Sequence, residues 1–166
     1  MASTFKKPLT IFLTFIVALW LTILPLPYWL HLIWPDWVFL VLLYWVIKMP
    51  YQTHFSWIVL LGIYVDLLLG TWVGQHILSY ILCCYLVIRF SSRLQFFSSP
   101  QQLLVILLLS FLNLWIQYLV LHFTQEWHVS FAIWLQVITT PIGWILVRAI
   151  LEKFQDRKRL SLKPLY

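Results

Sequence analysis

The chain is poor in most of what a soluble enzyme is built from. Charged residues are 10% of its 166 positions, against about 25% in soluble domains. Asp and Glu number five together, glycine four and cysteine two. No H-E-x-x-H, no Gly-rich phosphate loop, no G-x-S-x-G and no paired acidic motif occurs, so none of the metal, nucleotide or nucleophile signatures of catalysis is present. Asp36, Asp66 and Glu126 stand in separate segments and meet only if folding brings them together. Cys83 and Cys84 are adjacent within an apolar run and read as small buried hydrophobes, not as a metal pair or a structural disulfide. His31, His54, His76, His122 and His128 form no pair at metal-binding helical spacing. No polar break is long enough to hold a folded soluble domain; the longest soluble piece is the stretch after Leu151.

What the chain has is apolar surface, 63% of its residues, with 11 tryptophans. The runs go from about Leu9 to Leu26, Trp37 to Ile47, Phe55 to Leu69, Val73 to Phe90, Leu103 to Phe123 and Phe131 to Leu151. A transmembrane helix needs roughly 20 apolar residues, so six spans fill the chain. The first run follows Lys6 and Lys7, as a signal peptide would, but it is long for one and ends in Pro25-Leu26-Pro27, with no small-x-small cleavage site. It is expected to stay as a helix.

All 11 Lys and Arg fall in alternate breaks: Lys6 and Lys7, then Lys48, then Arg89 and Arg93, then Arg148, Lys153, Arg157, Lys158, Arg159 and Lys163. This is the positive-inside pattern of a six-pass bacterial inner-membrane protein with both termini cytoplasmic. The second run is short enough for a re-entrant segment, but without its crossing only Lys6 and Lys7 would remain inside. That helix has the option of extending back through Leu32, Ile33 and Trp34, with Pro35 and Asp36 in its outer turns or at its cap. Trp29, Trp34, Trp37, Trp72 and Trp127 are expected near the outer boundary, and Trp45, Trp57 and Trp144 toward the inner one. Trp20 and Trp115 are expected to pack between helices. The formal charge of +6 lies beside apolar runs, which points to anionic lipid headgroups, not nucleic acid.

Membrane helices associate through small and weakly polar residues. Such stripes occur at Thr10, Thr14, Ala18 and Thr22; at Gln75, Ser79 and Cys83; at Ser110, Asn113 and Gln117; and at Gln136, Thr139, Thr140 and Gly143. Each serves either internal packing or a partner's transmembrane helix, and the Ser110 stripe is the first candidate for a partner. A substrate-lined cavity is a third option. Gly62, Asp66 and Gly70 recur every four residues, with Gly74 continuing the spacing, so another backbone is expected to approach this face. A carboxylate inside the membrane is a functional candidate by default. With no Lys or Arg beside it, Asp66 is expected to bond backbone N–H groups near Thr71 to Gly74 and His76, capping the turn into the fourth helix. A proton relay is disfavoured because no second carboxylate is visible to receive the proton. The tail from Glu152 to Tyr166 is basic with interspersed apolar residues. It reads either as an anchor resting on anionic lipid or as a strip for a cytoplasmic partner. The domain reading is therefore 1–151 transmembrane and 152–166 basic tail.

The stretch Pro35-Asp36-Trp37 through Tyr44-Trp45, then Pro50, then Gly62 to Asp66-Leu67-Leu68-Leu69-Gly70, then Gly74, resembles the rod shape-determining MreD family. The similarity extends along essentially the whole chain, but its specific motifs lie between about Pro35 and Ser79. Pro35, Trp37 and Asp66 carry more of it than Asp36. The resemblance implies a six-helix all-α membrane bundle similar to the S component of energy-coupling-factor vitamin transporters. It implies a place in the cell-elongation machinery, with MreC as partner and with MreB, RodZ, RodA and an elongation-specific penicillin-binding protein in the same assembly. It brings no catalytic residue, no cofactor and no metal. The leading expectation is thus a non-enzymatic scaffold that helps control peptidoglycan synthesis and cell shape. A small-molecule-binding subunit akin to an S component is the alternative, and a lipid-carrier enzyme is a third reading for which no constellation can be assembled. A pocket lined by several convergent polar groups would favour the alternative. The sequence suggests few such groups in the outer half.

Overall fold

The computed structural model describes residues 6–27, 30, 33–50, 55–94, 96–124 and 131–160. Trp29, His31, His54, Glu126, Trp127, His128 and Lys163 lie outside the described residues. The described residues form six α-helices and no strand: α1 Lys6–Ile23, α2 Trp37–Lys48, α3 Phe55–Leu69, α4 Gln75–Leu94, α5 Ser99–Phe123 and α6 Gln136–Leu160, the last entered through a 3-10 turn at Phe131–Leu135. Among the described residues two stretches, Ser99–Phe123 and Ile133–Phe154, are long and apolar enough to cross a membrane, and Leu9–Ile23, Trp37–Lys48, Phe55–Leu69 and Gln75–Ser91 are shorter apolar helices.

The shortest helix is the centre. Every residue of α2 from Val38 to Ile47 is buried, and α1, α4 and α6 pack around it. A helix that is apolar on all sides is stable only when it is covered on all sides. Along the outside, α3 packs on α4, α4 on α5 and α5 on α6. Successive helices alternate in direction. Thr22, Asp36, Leu69, Gln75, Leu121 and Gln136, all at or near helix ends, therefore gather at one end of the bundle. Lys48, Leu94, Gln102 and Glu152 gather at the other.

Capping chemistry sets several boundaries. The Asp36 carboxylate accepts from the Phe39 N–H at 2.9 Å and starts α2 at Trp37. The helix does not extend back through Trp34. Trp34 and Pro35 are non-helical, because proline biases the residue before it away from the helical region. At α5, Gln101 Oε1 accepts from the Ser98 N–H at 3.0 Å, and Pro100 lies in the first turn, where its missing N–H costs nothing. The helix thus begins at Ser99, four residues before the apolar run. Helix α6 does not stop at Leu151 but continues to Leu160, so the first part of the basic tail is helical.

Pro141 lies inside α6 and has no N–H for the carbonyl of Val137 four residues back. The Ser110 hydroxyl of α5 lies 3.2 Å from that carbonyl. It is also 2.9 Å from the Leu107 carbonyl of its own helix, so one hydroxyl hydrogen serves two acceptors. Serine from a neighbouring helix re-satisfies backbone that proline has freed, as is required where water is scarce.

Two sequence expectations give way here. Trp20 does not pack between helices: it is 64% exposed. Ala18 is buried and Thr14 accepts from Trp45 Nε1 at 3.0 Å, so α1 turns its small-residue stripe inward and Trp20 outward. The second concerns the glycines. A Cβ on Gly62 would lie 2.7 Å from the Ile77 backbone, so this glycine does allow α3 and α4 to touch. Gly70 and Gly74 face open space; they are needed for φ values of +65° and +115° in the α3–α4 turn.

Candidate functional site

Two carboxylates organise the end of the bundle where α2 and α4 begin. Asp66, in the last turn of α3, is fully buried. Its Oδ2 accepts from the Gly74 N–H at 2.7 Å. Its Oδ1 accepts from the His76 N–H at 3.0 Å and from the Thr71 hydroxyl at 3.2 Å, and lies 2.7 Å from His76 Nδ1. These are the groups the sequence pointed to. They work because the chain reverses over a few residues, delivering unpaired N–H groups at the start of α4 onto a carboxylate one turn back. A negative charge is thereby stabilised with no Lys or Arg in contact among the described residues.

Asp36, at the N-terminus of α2, is the second. Besides capping Phe39, its oxygens accept from the Tyr80 hydroxyl at 3.2 Å and from Asn113 Nδ2 at 3.4 Å. Tyr80 is fully buried, stacks on Phe39 at 5.7 Å and meets the His76 ring edge-on at 5.7 Å. Asp66, His76, Tyr80, Asp36 and Asn113 thus form one continuous polar cluster drawn from α3, α4, α5 and the cap of α2. Reading Asp66 as a carboxylate with no second one near it is corrected by this geometry: folding supplies Asp36. So is the expectation of few polar groups at this end.

Beside the cluster is a cavity of about 280 Å³. Asp36, Gln75, Asn113, Gln117 and Gln136 contribute polar groups, and Leu114, Tyr118 and Trp134 contribute apolar wall. Gln75 and Asn113 are each at least nine-tenths buried, and Gln75 Oε1 and Asn113 Oδ1 have no hydrogen-bond partner. Among the described residues no group of three or more His, Cys, Asp or Glu has the arrangement of a metal site.

The other predicted residues separate. Pro35 lines the cavity and packs near Gly143 of α6, with 3.3 Å to a Cβ built there. Trp37 stands in the first turn of α2 against Trp34. Gly62, Gly70 and Gly74 serve the α3–α4 pair as described. Ser110, Asn113 and Gln117, the first candidates for a partner's helix, are all buried within this chain. Their stripe faces α6 through Ser110 and Asp36 through Asn113, and is not available on the outside of the bundle. Sequence reasoning passed over Tyr80 and Trp134. Tyr80 had a signal, since it follows His76 by one helical turn. Trp134 had none: its neighbours Phe111, Trp115 and Tyr118 come from a different helix.

A family model described as rod shape-determining protein MreD matches residues 3–154. The rod shape-determining protein MreD of Haemophilus influenzae is 29% identical over 154 residues, covering 91% of this chain and 93% of its own. No solved structure matches. With the match running from α1 into α6, the chain belongs to the MreD family of rod shape-determining proteins.

Proposed function

We propose that this protein is a non-enzymatic, six-pass inner-membrane scaffold of the rod-shape machinery that binds MreC and helps control where peptidoglycan is synthesised. Family membership over nearly the whole chain is the observation that carries the reading. The distribution of charge supports it. Lys48, Arg89, Arg93, Arg148 and Lys153 all belong to the helix ends opposite the carboxylate cluster, as expected if that end is cytoplasmic. The length of α2, about 18 Å at 1.5 Å per residue, is compatible with a bundle that crosses a bilayer of about 30 Å. A helix wholly covered by protein does not meet lipid, so irregular backbone at its ends is tolerated. MreB, RodZ, RodA and an elongation-specific penicillin-binding protein complete the proposed assembly, with anionic lipid at the basic end.

Because the Ser110 stripe is buried, the MreC contact is assigned to the outside of the bundle. Full-length protein co-expressed with MreC should copurify with it in mild detergent. Photocrosslinkers at the exposed positions Phe12, Leu60, Leu108 and Ile145 should capture MreC from one face only. Absence of MreC from both experiments would overturn the scaffold reading. Topology is tested separately by alkaline phosphatase fusions: active after Glu126 and inactive after Tyr166.

The cavity favours a second reading, a small-molecule-binding subunit similar to the S component of energy-coupling-factor transporters. Several buried polar groups converge there, as binding sites require. The two readings are compatible, since the cavity is inside the bundle and a partner helix would lie outside it.

A further inference from the structure

We propose that the cavity beside the N-terminal cap of α2, lined from α3, α4, α5 and the entry to α6, is a binding site for a primary ammonium group. It rests on the cavity alone and not on the MreC reading.

Two of the lining side chains hold a buried acceptor that the fold leaves without a donor. Asn113 has its orientation fixed, because Nδ2 donates to Asp36; a flipped amide would set oxygen against carboxylate. Its Oδ1 is therefore a buried acceptor with no partner. Gln75 Oε1 is a second. The Asp36 carboxyl group is a third acceptor on the same cavity. Leaving buried acceptors unmet is costly, so two at one cavity argue for a partner that brings hydrogen-bond donors.

Charge narrows the class. No Lys or Arg lines the cavity among the described residues and the Asp36 carboxyl group does, so a phosphate or carboxylate would find no counter-charge there. A cation would meet attraction. Two aromatic side chains, Tyr118 and Trp134, stand in the wall with ring centroids 6.0 Å apart, and aromatic faces attract cations within about 6 Å. An ammonium has three donors, enough for the two unpartnered amide oxygens and the Asp36 carboxyl group. At about 280 Å³ it takes a head of a few heavy atoms with room to spare. The ammonium has two possible sources: a free small amine, or the ethanolamine headgroup of a lipid reaching in from the bilayer.

The test uses the full chain purified in detergent. Thermal unfolding is followed while ethanolamine, or ethylene glycol as the uncharged analogue, is titrated in. In parallel, the protein is reconstituted in nanodiscs containing phosphatidylethanolamine and phosphatidylcholine, and retained lipid is read by native mass spectrometry. The expected result is saturable stabilisation by ethanolamine and not by ethylene glycol, or selective retention of phosphatidylethanolamine. The first outcome identifies a free amine and the second a lipid headgroup. Asp36→Asn removes the charge and should weaken binding roughly tenfold, the worth of one charge-assisted hydrogen bond. Gln75→Met removes an acceptor that has no partner in the fold, so it should weaken binding without lowering the unliganded melting temperature. The proposal is overturned by equal stabilisation from ethylene glycol, by no response in either arm, or by Gln75→Met and Asp36→Asn both binding as the parent does. Copurified MreC is quantified in the same preparations, so loss of amine binding with MreC retained would leave the scaffold reading standing.

Discussion

The two ends of the bundle solve the same problem in opposite ways. At the end where α2 and α4 begin, Asp66 is buried and stabilised by backbone N–H groups, a hydroxyl and a histidine. At the other end, Lys48, Arg148 and Glu152 make ion pairs at 3.6 and 3.1 Å with side chains 32–43% exposed. Only the first arrangement is sealed from solvent. A buried acceptor holding N–H groups at fixed angles disciplines a turn, a helix start and a packing face together. An exposed ion pair is screened and mobile, and contributes about 0–1 kcal/mol. Substitutions should therefore fall in effect from the first end to the second.

Asp66→Leu should be the most damaging. It orphans the Gly74 and His76 N–H groups and leaves the His76 ring without its 2.7 Å partner. Each buried orphan costs about 1–3 kcal/mol, so the protein is expected to lose its folded population, read as loss of a cooperative melt and of membrane-inserted protein. The sequence alone suggests that Asp66→Asn would keep most function. The geometry revises that: both oxygens accept from donors, so an amide must turn its NH₂ toward one of them. Asp66→Asn should be intermediate, and an Asn variant as stable as the parent would show that the turn needs shape and not charge.

Gly62→Val tests the glycine face. Its Cβ would approach the Ile77 Cα at 2.7 Å and Cγ1 at 2.9 Å, and backbone cannot rotate away as a side chain can. Overpacking of this kind costs about 1–3 kcal/mol, and separation of α3 from α4 would also disturb Asp66. Gly70→Ala meets open space and is strained only by its φ of +65°, so it should be milder. Equal effects would mean that the helix contact does not matter.

Next comes Ser110→Ala. The substitution frees the Val137 carbonyl that Pro141 already leaves without its helical N–H. A cost of about 1–2 kcal/mol in a detergent melt is expected, within the range for a buried unsatisfied acceptor. Combining it with Pro141→Ala restores the helical N–H and should recover most of the loss. That rescue separates internal packing from partner binding, because a partner-facing serine would not be rescued by a change inside α6.

The difference between the ends also explains which features were readable before folding. Asp66 and its partners lie within ten residues of one another, so the cap follows from a glycine-rich reversal next to a carboxylate. The six apolar runs became six helices for an equally local reason: each is a continuous apolar stretch set off by polar or helix-breaking residues. Asp36 is different. It meets Tyr80 across 44 residues and Asn113 across 77, and only the rotation of three helices about α2 sets those encounters. Rotation also decided that Trp20 points outward and the Ser110 stripe inward. Small-polar stripes mark a face without saying what the face meets. Pro141 and Ser110 were each visible, but their pairing depends on register between α5 and α6.

The smallest effect is expected at the basic end. Glu152→Gln removes the charge that pairs with Lys48 at 3.6 Å and with Arg148 at 3.1 Å. Arg148 keeps its 2.6 Å bond to Gln102, and Gln102 in turn donates to the carbonyls of Leu94 and Phe97, so the link from α6 to the α4–α5 turn survives. Both Glu152 pairs are partly solvated, and an i,i+4 pair contributes about 0.3–0.5 kcal/mol. The melt should shift by less than that of Ser110→Ala, and the shift should shrink as salt is raised, since exposed pairs are screened. A loss as large as that of Ser110→Ala, unchanged by salt, would mean that Glu152 acts in a low-dielectric site after all and that the two ends differ in sign of charge alone.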